Sequence, residues 1–170
     1  MPRGKPGPQN PFAAALAMLA RRAYSVAEIK RALERKFPSD PAIQDAIARL
    51  RQLGYLDDKK VAEQVAYSLA RNRAYGPHRV RRELKSKLVN YKFIEPAVEA
   101  AFEETSARQL LEQVLERKLR TLKLPFTRQK LASLCQSLMR RGFNSGDIMK
   151  AVRARPELKP VSEDVVLEGE

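Results

Sequence analysis

The chain has 170 residues, 31% of them charged and only 6% aromatic, with no Trp and a formal net charge of +13. That composition favours helices over strands, which draw on aromatic and β-branched side chains. No apolar run approaches the length of a membrane span, and the single cysteine, Cys135, excludes an internal disulfide and suits a reducing cytoplasm.

The first eleven residues, rich in Pro and Gly, are expected to form a disordered tail. Helical patterning starts at Phe12, where Leu16, Leu19 and Ala20 share a face. In "AYSVAEIKRAL", Ser25 is a helix cap and Glu28, three positions on, completes a capping box. Tyr24 precedes the cap and is spaced to staple onto Ile29. In "AYGPHRVRREL", Gly76 takes the cap position, Pro77 the first helical position, and Tyr75 and Val80 the staple. In "PFTRQKL", Phe126, Thr127 and Leu131 repeat the arrangement. In each copy an isoleucine (Ile43, Ile94, Ile148) lies ten positions beyond a leucine (Leu33, Leu84, Leu138), and the third copy reaches that register about one turn later.

This repetition predicts an all-α protein of three tandem three-helix repeats in an elongated, curved array. Repeat one covers 12–55, with helices near 12–22, 26–36 and 41–53. Repeat two covers 56–104, with helices near 59–73, 77–88 and 92–104. Repeat three covers 105–155, with helices near 106–122, 128–141 and 145–154, and residues 156–170 read as an acidic disordered tail. At the first junction Gly54 suits a helix C-terminus, Tyr55 and Leu56 pack into the joint, and Asp57 or Asp58 caps the next helix rather than holding a metal.

The tail's last fifteen residues hold five acids and one base, leaving 32 basic and 15 acidic residues before it. Such an excess points to a polyanionic or acidic partner. It is densest over 71–92, where eight bases face one acid, Glu83. With Val80, Leu84 and Leu88 turned inward, Arg79, Arg82 and Lys85 point outward beside Ser86, and Arg81 and Lys87 flank the apolar seam. Arg79, Arg82, Lys85, Arg81, Arg71 and Arg73 are therefore the candidate partner- or DNA-binding residues. Arg21–Arg22 and Arg140–Arg141 are smaller clusters that could extend the strip.

Catalysis finds no support. His78 is the only histidine and sits in a capping turn, Cys135 lies among leucines, and there is no Walker-type loop, zinc-binding pattern or Ser/His/Asp set. No enzyme activity, cofactor or metal is expected.

The stretch "LRQLGYLDDKKVAEQVAYSLARNRAYGPHRVRREL" resembles the RecX family of bacterial recombination regulators. The family pattern, a Gly-Tyr-Leu-Asp-Asp junction followed by a helix and Gly-Pro-x-Arg-Ile-x-x-Glu-Leu, falls here on Gly54 to Asp58 and on Gly76, Pro77, Arg79, Val80, Glu83 and Leu84. "YSVAEIKRAL" and "MRRGFNSGDIMKAV" match its first and third repeats, so that the resemblance spans residues 12–154. Departures are Lys60-Val61 in place of Arg-Phe, and Phe37 and Leu88 where the family often has Gly. The resemblance implies a regulator that binds the RecA filament on single-stranded DNA in its helical groove, a role for which a monomer suffices, and the lone cysteine is in keeping with the cytoplasm. Such a regulator would modulate, chiefly by inhibition, the filament's ATPase, strand-exchange and coprotease activities, touching DNA weakly, directly or through the filament.

Two rival functions place different demands on the chain after Leu56 and on its aromatics. Helices 26–36 and 41–53 followed by "LGYLDD" resemble the core of a winged-helix transcriptional regulator, but a wing needs two strands after Leu56, where the pattern turns helical. A non-specific single-strand binder needs exposed aromatics for base stacking. With five Tyr and six Phe, many at staple or core positions, little is expected to be left for that.

Overall fold

The computed structural model describes residues 10–103, 106–121 and 127–159. Among these residues the chain is helical throughout: α1 (Pro11–Leu19), α2 (Val26–Lys36), α3 (Ala42–Gln52), α4 (Asp58–Arg71), α5 (Pro77–Ser86), α6 (Ile94–Glu103), α7 (Ala107–Leu119), α8 (Arg128–Arg140) and α9 (Ser145–Arg153), with short 3-10 turns at Tyr91–Phe93 and Pro156–Leu158. Among the described residues no strand follows Leu56; α4 starts at Asp58, where a winged helix would place its wing.

The caps form as their sequences dictate. The Ser25 hydroxyl accepts from the Glu28 N–H at 3.1 Å, and the Glu28 carboxylate accepts from the Ser25 N–H at the same distance. Ser106 and Gln109 form a second capping box, and Thr127 caps α8 through the Lys130 N–H. α8 has 13 residues against 11 in α2 and 10 in α5, two to three residues longer, in the direction that the later register of the third copy requires. Three details differ from expectation. Asn10 caps a helix that already begins at Pro11. α1 ends at Leu19 rather than near 22, and the chain then runs through Arg22, whose guanidinium pairs with Glu28 at 3.0 Å and lies 3.5 Å over the Tyr24 ring. Residues 156–158, expected to open the acidic tail, instead form a 3-10 turn that buries Leu158. The rest of that tail, residues 160–170, residues 1–9 of the N-terminal tail, and Phe126 of the third staple lie outside the described residues.

The described residues fall into two compact units. The first comprises residues up to Tyr67 together with Arg82–Glu99, and the second Ser68–Arg81 together with residues from Ala100 onward. In the first, Ala14, Ala15, Ile29, Leu33, Ile43, Ile47, Leu50 and Leu56 form a core on which Tyr24 and Phe37 pack. In the second, Leu111, Leu115, Leu134, Leu138, Phe143, Ile148 and Leu158 cluster, with Leu131 packed against them. Each fully buried Leu or Ile contributes about 1.5–3 kcal/mol through burial. Arg155 adds a polar clamp in the second unit, with 2.9 Å to Glu112 and 3.6 Å to Glu116. Cys135 is partly buried on this core, and burial pushes its thiol above the ordinary value, as befits a packing residue.

Three helix ends share one termination. Tyr55 N–H reaches back to the Leu50 carbonyl, Val89 N–H to that of Leu84, and Phe143 N–H to that of Leu138. Such a motif needs a left-handed residue just before the returning N–H, and Gly54 (φ 75), Leu88 (φ 53) and Gly142 (φ 92) supply it. Leu88 thus occupies a glycine's conformation, while at Phe37 the backbone is not left-handed (φ −129). Leu88 is also exposed (36%). Leu88→Gly is expected to leave stability within about 1 kcal/mol of wild type, measured by urea unfolding, because relief of the left-handed strain is offset by the lost burial and the added unfolded-state entropy.

A basic helix held at both ends

α5 is positioned by two joints, each internal to one compact unit. At its N-terminus, in the second unit, the Gly76 N–H donates to the Arg141 carbonyl at 2.8 Å and the His78 N–H to the Gly142 carbonyl at 3.1 Å. The turn that ends α8 thereby satisfies two N–H groups that a helix start leaves open. The backbones meet so closely that a Cβ on Gly76 would lie 2.4 Å from the Gly142 oxygen, and one on Gly142 2.3 Å from the Arg79 nitrogen. Arg141 reinforces the joint, its Nη1 donating to the Arg73 carbonyl at 2.9 Å. Arg79 does so from the other side, with its guanidinium 4.1 Å from the Tyr75 ring centroid and its Nη1 donating to the Arg140 carbonyl at 3.3 Å.

At the C-terminal end of α5, in the first unit, the buried Ser25 hydroxyl donates to the Lys87 carbonyl at 2.6 Å. Lys87 and Leu88 occupy at the end of α5 the places of Arg141 and Gly142 at the end of α8. In both joints the N-terminus of one middle helix therefore meets the carbonyl end of the next, an arrangement the helix dipoles favour. Asp58 ties the first-unit joint together: Oδ1 accepts from the Val26 N–H at 2.8 Å and Oδ2 from the Asn90 N–H at 3.1 Å. Asp57 caps α4 through the N–H groups of Lys59 and Lys60. Both aspartates are structural, and the described residues contain no cluster of side chains suited to a metal. Asp58→Ala is expected to lower stability by about 2–3 kcal/mol, because it leaves two N–H donors without an acceptor, while Asp57→Ala costs about 1 kcal/mol as an exposed cap. Thermal melts of the two variants distinguish them.

The candidate binding residues thus separate by environment. Arg82 and Lys85 are exposed on α5 beside Ser86, as the wheel places them. Arg71 and Arg73 are exposed at and just beyond the end of α4. Arg81 is half-buried along the apolar seam, as expected. Arg79, expected to point outward, is half-buried and engaged in the glycine joint. Arg141, read as a possible extension of the basic strip, is half-buried and spends its guanidinium on backbone carbonyls. The sequence reading missed the pairing of Gly76 with Gly142. The signal available was a second glycine standing one residue beyond the expected end of the third middle helix.

Tyrosine exposure also differs from expectation. The described phenylalanines are all at least partly buried, but Tyr91 is 85%, Tyr55 57% and Tyr67 51% exposed. Tyr55 does not pack into the junction; Leu56 does.

Comparison with known proteins gives a consistent result. Residues 12–50 match the family model described as RecX, first three-helix domain, and residues 107–152 that described as RecX, third three-helix domain. The regulatory protein RecX of Stenotrophomonas maltophilia (strain R551-3) is 33% identical over 156 residues, covering 90% of this chain and 91% of that one. The regulatory protein RecX of Xanthomonas axonopodis pv. citri (strain 306) is 36% identical over 151 residues, covering 85% and 87%. The crystal structure of RecX from Lactobacillus salivarius superposes with a TM-score of 0.69 at 20% identity, covering 85% of this chain and 93% of that one, and so shares the fold. A second crystal structure, of a regulatory protein RecX, gives a TM-score of 0.68 at 18% identity over 85% of this chain and 70% of that one.

Proposed function

The chain belongs to the RecX family of regulatory proteins, and from that premise we propose that it binds the RecA filament on single-stranded DNA in the filament's helical groove. It restrains ATP hydrolysis, strand exchange and coprotease activity there by occupying the groove, without chemistry of its own. The observation that carries this reading is the one-signed face of α5, where Arg82 and Lys85 stand exposed and the one acid of 71–92, Glu83, is half-buried. A solvated helix ordinarily mixes both signs, so a face of one sign suits an acidic protein surface with DNA beneath it.

The three trios, taken as 12–55, 56–104 and 105–155, engage successive filament subunits. Modest contacts from each then sum through effective concentration, so a monomer suffices. Arg82 and Lys85 make the primary contacts, Arg71, Arg73 and Arg81 contribute further charge, and Arg79 contributes charge while holding the start of α5 in place. The protein works in the cytoplasm, where its filament partner forms; no described helix is long and apolar enough to cross a membrane.

The test is a titration of RecA's DNA-dependent ATPase with the full chain. Saturable inhibition well below one protein per RecA subunit supports groove occupancy across several subunits. An ATPase rate unmoved by excess protein refutes it.

A further inference from the structure

α9 turns Ile148, Ala151 and Val152 into the core of the second unit. Its opposite side is an exposed stripe of Gly146, Met149, Lys150 and Arg153, which follow one another at i, i+3, i+4 and i+7. Met149 is 42% exposed, a soft apolar side chain left in water between two cations and a residue with no side chain. Among the described residues neither Lys150 nor Arg153 is in an ion pair.

The chain comes back to this helix before it leaves the unit. The 3-10 turn Pro156–Leu158 packs on α9 and buries Leu158. Arg155 pins the start of that turn to α7, 2.9 Å from Glu112, and reaches Glu157 at 3.8 Å. The exit at Lys159 is therefore fixed beside α9. Residues 160–170 follow, with four acids (Glu163, Asp164, Glu168 and Glu170), no base and the apolar run Val165, Val166 and Leu167. A chain of that length spans up to about 40 Å when extended, whereas α9 is only about 14 Å long. The segment can thus run back over the whole stripe, and its tether holds the acids near the cations at high effective concentration.

We propose that residues 160–170 dock on the exposed stripe of α9, with carboxylates on Lys150 and Arg153 and the apolar run against Met149. The segment is an internal competitor: a polyanion reaches these cations only by displacing it. The charge pattern selects this occupant, since the acids of the segment and the bases of the stripe are complementary and both flank apolar side chains. The contact lies within one chain, so it stands or falls apart from the filament reading.

The chain has four methionines, Met1, Met18, Met139 and Met149, and methyl-labelled methionine makes each an NMR reporter. The full chain at low salt is compared with a variant carrying Glu163→Gln, Asp164→Asn, Glu168→Gln and Glu170→Gln. The Met149 methyl signal should move, while that of Met18, in the first unit, stays. Added salt should move the wild-type Met149 signal in the same direction. Heparin, a polyanion independent of RecA, gives the second readout. The variant should bind it about threefold or more tighter than a control with the same charge change made by Asp45→Asn, Glu63→Gln, Glu99→Gln and Glu103→Gln. In a Lys150→Gln, Arg153→Gln background that extra gain should vanish. The described positions substituted are all exposed, and equal melts verify the fold. An unmoved Met149 signal, or a gain no larger than the control's, overturns the proposal. So does an extra gain that survives loss of Lys150 and Arg153, which would seat the segment elsewhere. A Met149 signal indifferent to the segment that moves only when RecA filaments are added also overturns it, since the stripe would then be a partner's surface.

Discussion

Gly142→Ala is expected to be the most destabilising of the single-atom additions at glycine, lowering stability by roughly 3 kcal/mol or more. Two costs combine there. The backbone is left-handed (φ 92), and the new methyl would sit 2.3 Å from the Arg79 nitrogen, an approach only backbone movement can relieve. Gly76 and Gly54 separate the two. Gly76→Ala meets only the steric cost, 2.4 Å from the Gly142 oxygen with no left-handed backbone, and should lose about 2–3 kcal/mol. Gly54→Ala meets only the conformational cost, with φ 75 and nothing within 4 Å, and should lose about 1 kcal/mol. Urea unfolding of the three variants should give the order Gly142, Gly76, Gly54. Equal losses at all three would mean that the close approach of α5 to the turn after α8 contributes nothing.

The second large effect concerns binding. Reversing two charges, Arg82→Glu with Lys85→Glu, is expected to weaken inhibition of RecA's ATPase by at least about tenfold while leaving the melting temperature unchanged. Both side chains are exposed, and neither takes part in the joints that position α5. The wild-type inhibition should itself weaken as salt rises, and the double variant should show a shallower salt dependence. Arg79→Glu is a poorer probe. Its guanidinium lies over Tyr75 and bonds the Arg140 carbonyl, so the substitution should lower the melt as well as inhibition.

The order of helices was legible because each middle helix announces its own start. Ser25 with Glu28, Gly76 with Pro77, and Thr127 are local signals whose hydrogen bonds close within three or four residues. Part of the basic face was legible for the same reason, since an α-helix fixes which side chains share a side, and Arg82 and Lys85 are exposed where that periodicity places them. What could not be read depends on partners distant in the chain. Gly76 looked like a cap, and its close approach to Gly142 has no local signature. Arg79 and Arg141 looked like surface charge because nothing nearby in sequence marks the carbonyls they serve, 61 and 68 positions away. Asp58 was read as one helix's cap, yet it joins Val26 to Asn90. Tyr55 and Tyr91 carried no warning of their exposure, since apolar pattern alone does not say which rings find a neighbour.

The central claim is that the exposed cations of α5 hold the protein on a nucleoprotein filament. Co-sedimentation with preformed RecA filaments on single-stranded DNA, with naked DNA as the control, tests it most directly. Wild type should pellet with the filaments far more than with the DNA, and the Arg82→Glu, Lys85→Glu protein, melting as wild type does, should stay in the supernatant. A double variant that pellets as fully as wild type would contradict the account.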